Sequence, residues 1–219
     1  MSIQTISENL FEQLCAQKNI VCTRIPTTTT KSAVDQLEIG QLTLITEVKQ
    51  LDPSPKEHHI AKTWGTAQCS GVVAPSDRVQ GLLEEGYPQI KQSAKGKLSA
   101  MIVVYNNSED WNYIDSFTVS KAMFGTFGLF LTLQPNKTIG VAGQGYMDKR
   151  KTTKATCRML SAVGVLKNVR KDELALDCYH NPFATFPINT ATLSTLADAQ
   201  FLHPNPHARG HIQWQPIAI

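Results

Sequence analysis

Asp35 and, after eleven intervening residues, Glu47-Val48-Lys49 have the types and spacing for phosphoryl chemistry. The run Leu42 to Lys49 is rich in β-branched residues and reads as a strand. Successive strand side chains point to opposite faces, so Glu47 and Lys49 share one face and Val48 takes the other. Asp35 to Ile39 is a second β-type run, joined to the run from Gln41 to Val48 by a turn around Gly40, which predicts a hairpin. That hairpin is expected to fold Asp35 back towards the strand end carrying Glu47, so that two carboxylates and an ammonium converge. Such a set suits a hard divalent cation, Mg²⁺ or Mn²⁺, bound through oxygen with several waters and a substrate phosphate. The metal would offset charge growing on phosphorus and help generate hydroxide near neutral pH. Lys49 would orient the attacking water or stabilise the phosphate oxyanion. Hydrolysis of a phosphodiester is the chemistry expected, with Asp35, Glu47 and Lys49 as its catalytic residues.

Several elements must position these groups. Ile3, Ile6, Leu10, Phe11 and Leu14 fall at helical spacing, which predicts a first helix over Ile3 to Cys15 with Ser2 as its cap. On its wheel Glu8 lies beside the apolar stripe and Glu12 nearly opposite, so Glu8 is the acid turned inward. Asn19 to Ile25 alternates like a strand and leads into a loop of threonines, and residues 50–76 read as a long loop or a partly helical excursion. From Asp77 to Ala94 the apolar residues keep helical spacing, capped by Ser76 or Asp77, with Gly86 and Pro88 expected to break or kink the helix. Leu98 to Tyr105 is a near-continuous apolar run, the mark of a strand covered on both faces. A short helix follows over Asp115 to Phe124. Strands are then expected near Phe127 to Leu133, Thr138 to Ala142, Met159 to Leu166 and Leu174 to Cys178. The order implies an α/β fold: a mixed central β-sheet flanked by helices. The tail from His180 holds five of the eleven prolines and is expected to wrap the surface in loops, with a short helix around Thr190 to Ala199.

Taken in order, an amphipathic helix, Asp35, a hairpin, Glu47-Val48-Lys49, a helix and a buried strand resemble the PD-(D/E)xK, or restriction-endonuclease-like, nuclease superfamily. The resemblance covers residues 3 to 105, about half the chain, and Val34 stands where the motif's name has proline. It implies a restriction-endonuclease-like core of order α-β-β-β-α-β with C-terminal additions, and places Glu8 with Asp35 and Glu47 as a third metal ligand. The helix after the signature would contribute Gln89 or Gln92. The function implied is a metal-dependent endonuclease or exonuclease acting on DNA in preference to RNA. The alternative is a catalytically inactive module of the same fold that binds nucleic acid or protein.

The segment Asp148 to Arg158 carries five basic residues and three hydroxyls among eleven positions. Lys149, Arg150, Lys151 and Lys154 are therefore the candidates for contacts with a nucleic-acid backbone, a solvated loop being the plainer reading. With 21 Lys+Arg against 18 Asp+Glu the net charge is only +3, which permits such a partner without requiring it. Five widely spaced cysteines without a Cys-x-x-Cys pair predict reduced thiols and no disulfide framework or zinc site. The six histidines read as surface or capping residues, and Gly143-Gln144-Gly145 reads as a turn. No apolar stretch approaches membrane-spanning length, and the N-terminus does not read as a secretory signal. A single domain over 1–219, with its core over 3–142 and an extension over 143–219, is expected in the cytoplasm. A homodimer is compatible with that reading.

Overall fold

The structure, a computed structural model, describes residues 4–25, 34–55, 76–107, 114–133, 139–147, 151–170, 173–204 and 214–218. The expected cap at Ser2, the threonine loop, most of the 50–76 loop, His58, His59, Cys69, Lys149, Arg150, His207 and His211 lie outside these residues.

Helix α1 (Ile6–Gln17) begins three residues later than the periodicity predicts, because Thr5 and not Ser2 stops it. The Thr5 hydroxyl accepts from the Glu8 N–H, and the Glu8 carboxylate accepts the Thr5 N–H at 2.7 Å. This reciprocal box satisfies two N–H groups that the helix itself leaves unpaired. An antiparallel meander follows: β1 (Val21–Ile25), β2 (Val34–Ile39) and β3 (Leu42–Leu51). Gly40 takes φ +59° in the two-residue turn between β2 and β3, a backbone that glycine adopts without the cost a side chain would bring.

Helix α2 (Ser76–Ala94) returns the chain, and β4 (Ser99–Asn106) lies parallel to β3. The helix runs through Pro88 unbroken, against expectation. The proline ring removes only the bond to the Glu84 carbonyl on the exposed side, where water can serve it, while Val79, Leu83, Ile90 and Ala94 are all buried. Gly86 faces the sheet. A Cβ there would stand 3.2 Å from Ile102 Cδ1 and 3.4 Å from Glu47 Cγ, so the missing side chain lets the helix approach the signature strand.

Asp115 caps α3 (Ser116–Phe124), which leads into β5 (Thr126–Leu133) and β6 (Ile139–Met147). These two form a separate antiparallel ribbon. Gly143-Gln144-Gly145 lies inside β6 and is not a turn, since Gly143 and Gly145 pair with Phe130 and Gly128. The chain then adds β7 (Ala162–Arg170) parallel to β4, β8 (Glu173–His180) antiparallel to β7, the short helix α4 (Thr190–Leu193), and β9 (Ala199–Leu202) and β10 (Gln215–Ile217). The tail is therefore not all loop. Its two short strands extend the main sheet, whose order is β1-β2-β3-β4-β7-β8-β9-β10. Strands of four and three residues are too short to show a period, and Pro216 is tolerated because β10 is an edge.

The result is an α/β protein with a mixed central sheet flanked by helices. Strand β4 explains the two-sided core: Ile102 and Val104 face α2 and α3, and Met101 and Val103 pack with Phe11 and Leu14 of α1. Among the described residues no helix is long and apolar enough to cross a membrane.

Candidate functional site

The hairpin register decides the geometry of the site. Val34 pairs with Glu47 and Asp35 with Thr46. Residues paired across an antiparallel ladder share a face, so Glu47 and Asp35 occupy opposite faces of the sheet. The core confirms the parity: Val34 and Ile45 belong to the α2 side, and Leu37, Leu44 and Val48 to the α1 side. The hairpin folds Asp35 back beside the strand that carries Glu47, as expected, but its register gives the two carboxylates different faces of the sheet. The turn is two residues long, and a turn longer by one would have reversed the parity.

On the α2 face Glu47 is fully buried, and its Oε1 lies 2.9 Å from Lys49 Nζ. The ammonium also donates to Gln89 Oε1 of α2 at 3.3 Å. Glu47 and Lys49 therefore share a face as the alternation requires, and Gln89 joins them where Gln89 or Gln92 was expected. Lys49 is mostly buried, and it does not end the strand, for β3 continues to Leu51.

On the α1 face Asp35 is fully buried, and among the described residues neither of its carboxylate oxygens has a hydrogen-bond partner. Arg24 Nε is 3.7 Å from Oδ1, while Arg24 Nη2 reaches Glu12 Oε1 at 3.2 Å. Burial raises the Asp35 pKa to about 7. Arg24 opposes that shift, and Glu12, Glu8 and Glu47 reinforce it. The hydroxyl of Thr46, the partner of Asp35 across the ladder, is likewise buried without a hydrogen bond. Arg24 and Thr46 were missed from sequence. Arg24 carries a signal only once β1 is paired, since it sits opposite Asp35. Glu8 lies on this face as the wheel indicates, with one carboxylate oxygen engaged in the α1 cap.

A divalent cation fits this donor set in part. Two buried carboxylate oxygens without hydrogen bonds are what a cation would satisfy, and Glu8 is close enough to raise the Asp35 pKa. The complete set of Asp35, Glu47 and Glu8 does not assemble on one face, and no group of three ligating side chains occurs among the described residues.

Elsewhere, the basic segment is partly built into the body. Lys151 pairs with Glu84 of α2, the Thr152 hydroxyl donates to the Met123 carbonyl at 2.9 Å, and Lys154 is exposed. Two histidines are core residues and not surface ones. His180 Nε2 lies 2.8 Å from Gln200 Oε1, and His203 Nε2 lies 3.3 Å from the Tyr146 hydroxyl. Burial lowers both pKa values, that of His203 to about 4. Cys15, Cys22, Cys157 and Cys178 are free thiols, and burial pushes Cys178 up, which keeps it protonated and unreactive.

Comparison with known proteins finds no match to a family model, a curated protein or a solved structure.

Proposed function

We propose that this protein is a nuclease of the PD-(D/E)xK type that hydrolyses phosphodiester bonds, in DNA before RNA, with Mg²⁺ or Mn²⁺. The observation that carries the reading is the buried cluster of Glu47, Lys49 and Gln89, a carboxylate, an ammonium and an amide brought together by the signature strand and the helix that follows it. Among the described residues the order α1-β1-β2-β3-α2-β4, with β4 parallel to β3, is the element order the superfamily resemblance calls for and supports a restriction-endonuclease-like core. Asp35 and Glu8 would hold the cation, whose hydration shell completes its ligands. When bound, the metal supplies charge neutralisation at phosphorus and an acidified water. Lys49 is the group suited to the phosphate oxyanion, and Lys149, Arg150, Lys151 and Lys154 to the substrate backbone.

One observation favours a second reading. The register sets Asp35 and Glu47 on opposite faces, as fits a scaffold of this fold that binds nucleic acid or protein without cutting it. Incubation of the full chain with linear DNA, circular DNA and RNA in Mg²⁺, Mn²⁺ or EDTA separates the two. Cleavage lost in EDTA and in Lys49→Ala supports the nuclease. Retained binding without cleavage under every metal condition supports the scaffold.

A further inference from the structure

The β5–β6 ribbon carries an apolar face that no other described part of the chain covers. Register places Leu131 opposite Val141 and Leu133 opposite Ile139; across the bulge between Phe130 and Leu131, Leu129 lies on the same face of β5 and pairs with Gln144, the one amide in the stripe. The same face holds Phe127 at the root, where its ring meets Tyr146 with centroids 5.3 Å apart, and Tyr146 packs on Phe124 in the core. The stripe thus starts in the protein interior and runs out into solvent. Leu129, Leu131, Leu133, Ile139 and Val141 are 55%, 61%, 70%, 72% and 65% exposed. The opposite face carries Thr126, Gly128 and Thr132 of β5 beside Phe130. That alternation is the pattern of a strand pair buried on one side.

We infer that this face is the interface between two copies of the chain, joined ribbon to ribbon about a two-fold axis. Five such side chains present about 500 Å² of apolar surface. This lies high in the range of about 300–600 Å² for the largest patch on an ordinary monomer. It also supplies most of the ~800 Å² that each partner contributes to a stable interface. The seventeen residues of β5 and β6 contain no Asp, Glu, Lys, Arg or Pro, the residues that normally guard an exposed strand against association. An uncharged face offers nothing to phosphates, which require cations. Insertion into a bilayer would strand the unpaired edge amides of an open ribbon in hydrocarbon. An apolar face related to itself by a two-fold axis is complementary to itself, so the second copy is the occupant that fits. This inference is independent of the nuclease reading.

Light scattering on the eluting 219-residue chain at tens of micromolar tests it. Wild type should have about twice the chain mass of 24.2 kDa. The variant L131K/V141K places like charges across the axis and should elute at the single-chain mass, with association weakened about 100-fold or more. Leu131→Ile should remain paired. In wild type alone, hydrogen exchange of residues 129–133 and 139–141 should slow as concentration rises, a readout that stands even if the double variant misfolds. A wild-type monomer at these concentrations overturns the proposal. So does a folded L131K/V141K that stays paired, or wild type that floats with phosphatidylcholine vesicles as a monomer.

Discussion

The two faces of the β2–β3 hairpin treat a buried carboxylate in opposite ways. On the α2 side Glu47 has an ammonium at 2.9 Å and an amide beyond it. On the α1 side Asp35 is equally buried, yet among the described residues its nearest cation is 3.7 Å away and neither oxygen accepts a hydrogen bond. Burial without partners costs an ionised carboxylate free energy, and the rise of the Asp35 pKa to about 7 expresses that cost. The two faces thus differ in kind: Glu47 and Lys49 form an internally neutral pair, whereas Asp35 has only the more distant Arg24 beside it among the described residues.

The largest expected effect is that of Lys49→Ala. On the proposed nuclease reading, loss of one oxyanion donor should lower turnover about 10²–10³-fold. Removing half of a buried pair should also destabilise the fold by about 3–5 kcal/mol, because buried Glu47 loses its ammonium. Single-turnover cleavage and urea unfolding measure the two separately. Loss of activity without loss of stability would show that Glu47 protonates or finds another partner.

Asp35→Asn should act in the opposite direction on stability. Between pH 4 and about 7 the native state holds a proton that the unfolded chain has released, so wild-type stability falls as pH rises through that window and stays low above it. The Asn variant should be flat in this respect and more stable than wild type at pH 8 by a few kcal/mol. His203 contributes in the opposite sense, its stabilisation being lost as pH falls from 6.5 towards about 4. That contribution is common to both proteins, so the difference between their unfolding curves isolates Asp35. Mg²⁺ should raise the melting temperature of wild type and not of the variant, and equal shifts would place the cation elsewhere.

Smaller effects sharpen the α1 face. Arg24→Ala removes the cation that holds the Asp35 pKa down, so the pH window should extend upward, with a stability loss of about 1 kcal/mol for a half-exposed guanidinium. Thr5→Ala should cost about 1 kcal/mol through the α1 cap. If Glu8 shares a cation with Asp35, this change should also weaken metal binding, because the cap fixes the Glu8 carboxylate. An unchanged metal affinity would confine Glu8 to capping.

Much of this was legible in the sequence where a short period carried it. The apolar stripe of α1, the shared face of Glu47 and Lys49, the turn at Gly40 and the doubly covered β4 each follow from side-chain direction within one element. Pro88 and Gly86 do not break α2, since tertiary burial of its apolar stripe outweighs the local propensity to break. The strands β9 and β10 were not legible, because their few residues become strands only by pairing with β8 and with each other.

What the sequence determined by itself was therefore which residue types are available and which neighbours along one strand share a face. Tertiary structure decided which faces meet. A turn near Gly40 fits a loop of either two or three residues, and a one-residue change in register moves every side chain of a strand to the other side of the sheet. The two-residue loop put Asp35 with α1 and Glu47 with α2, and that parity belongs to the pairing of two strands rather than to either strand alone.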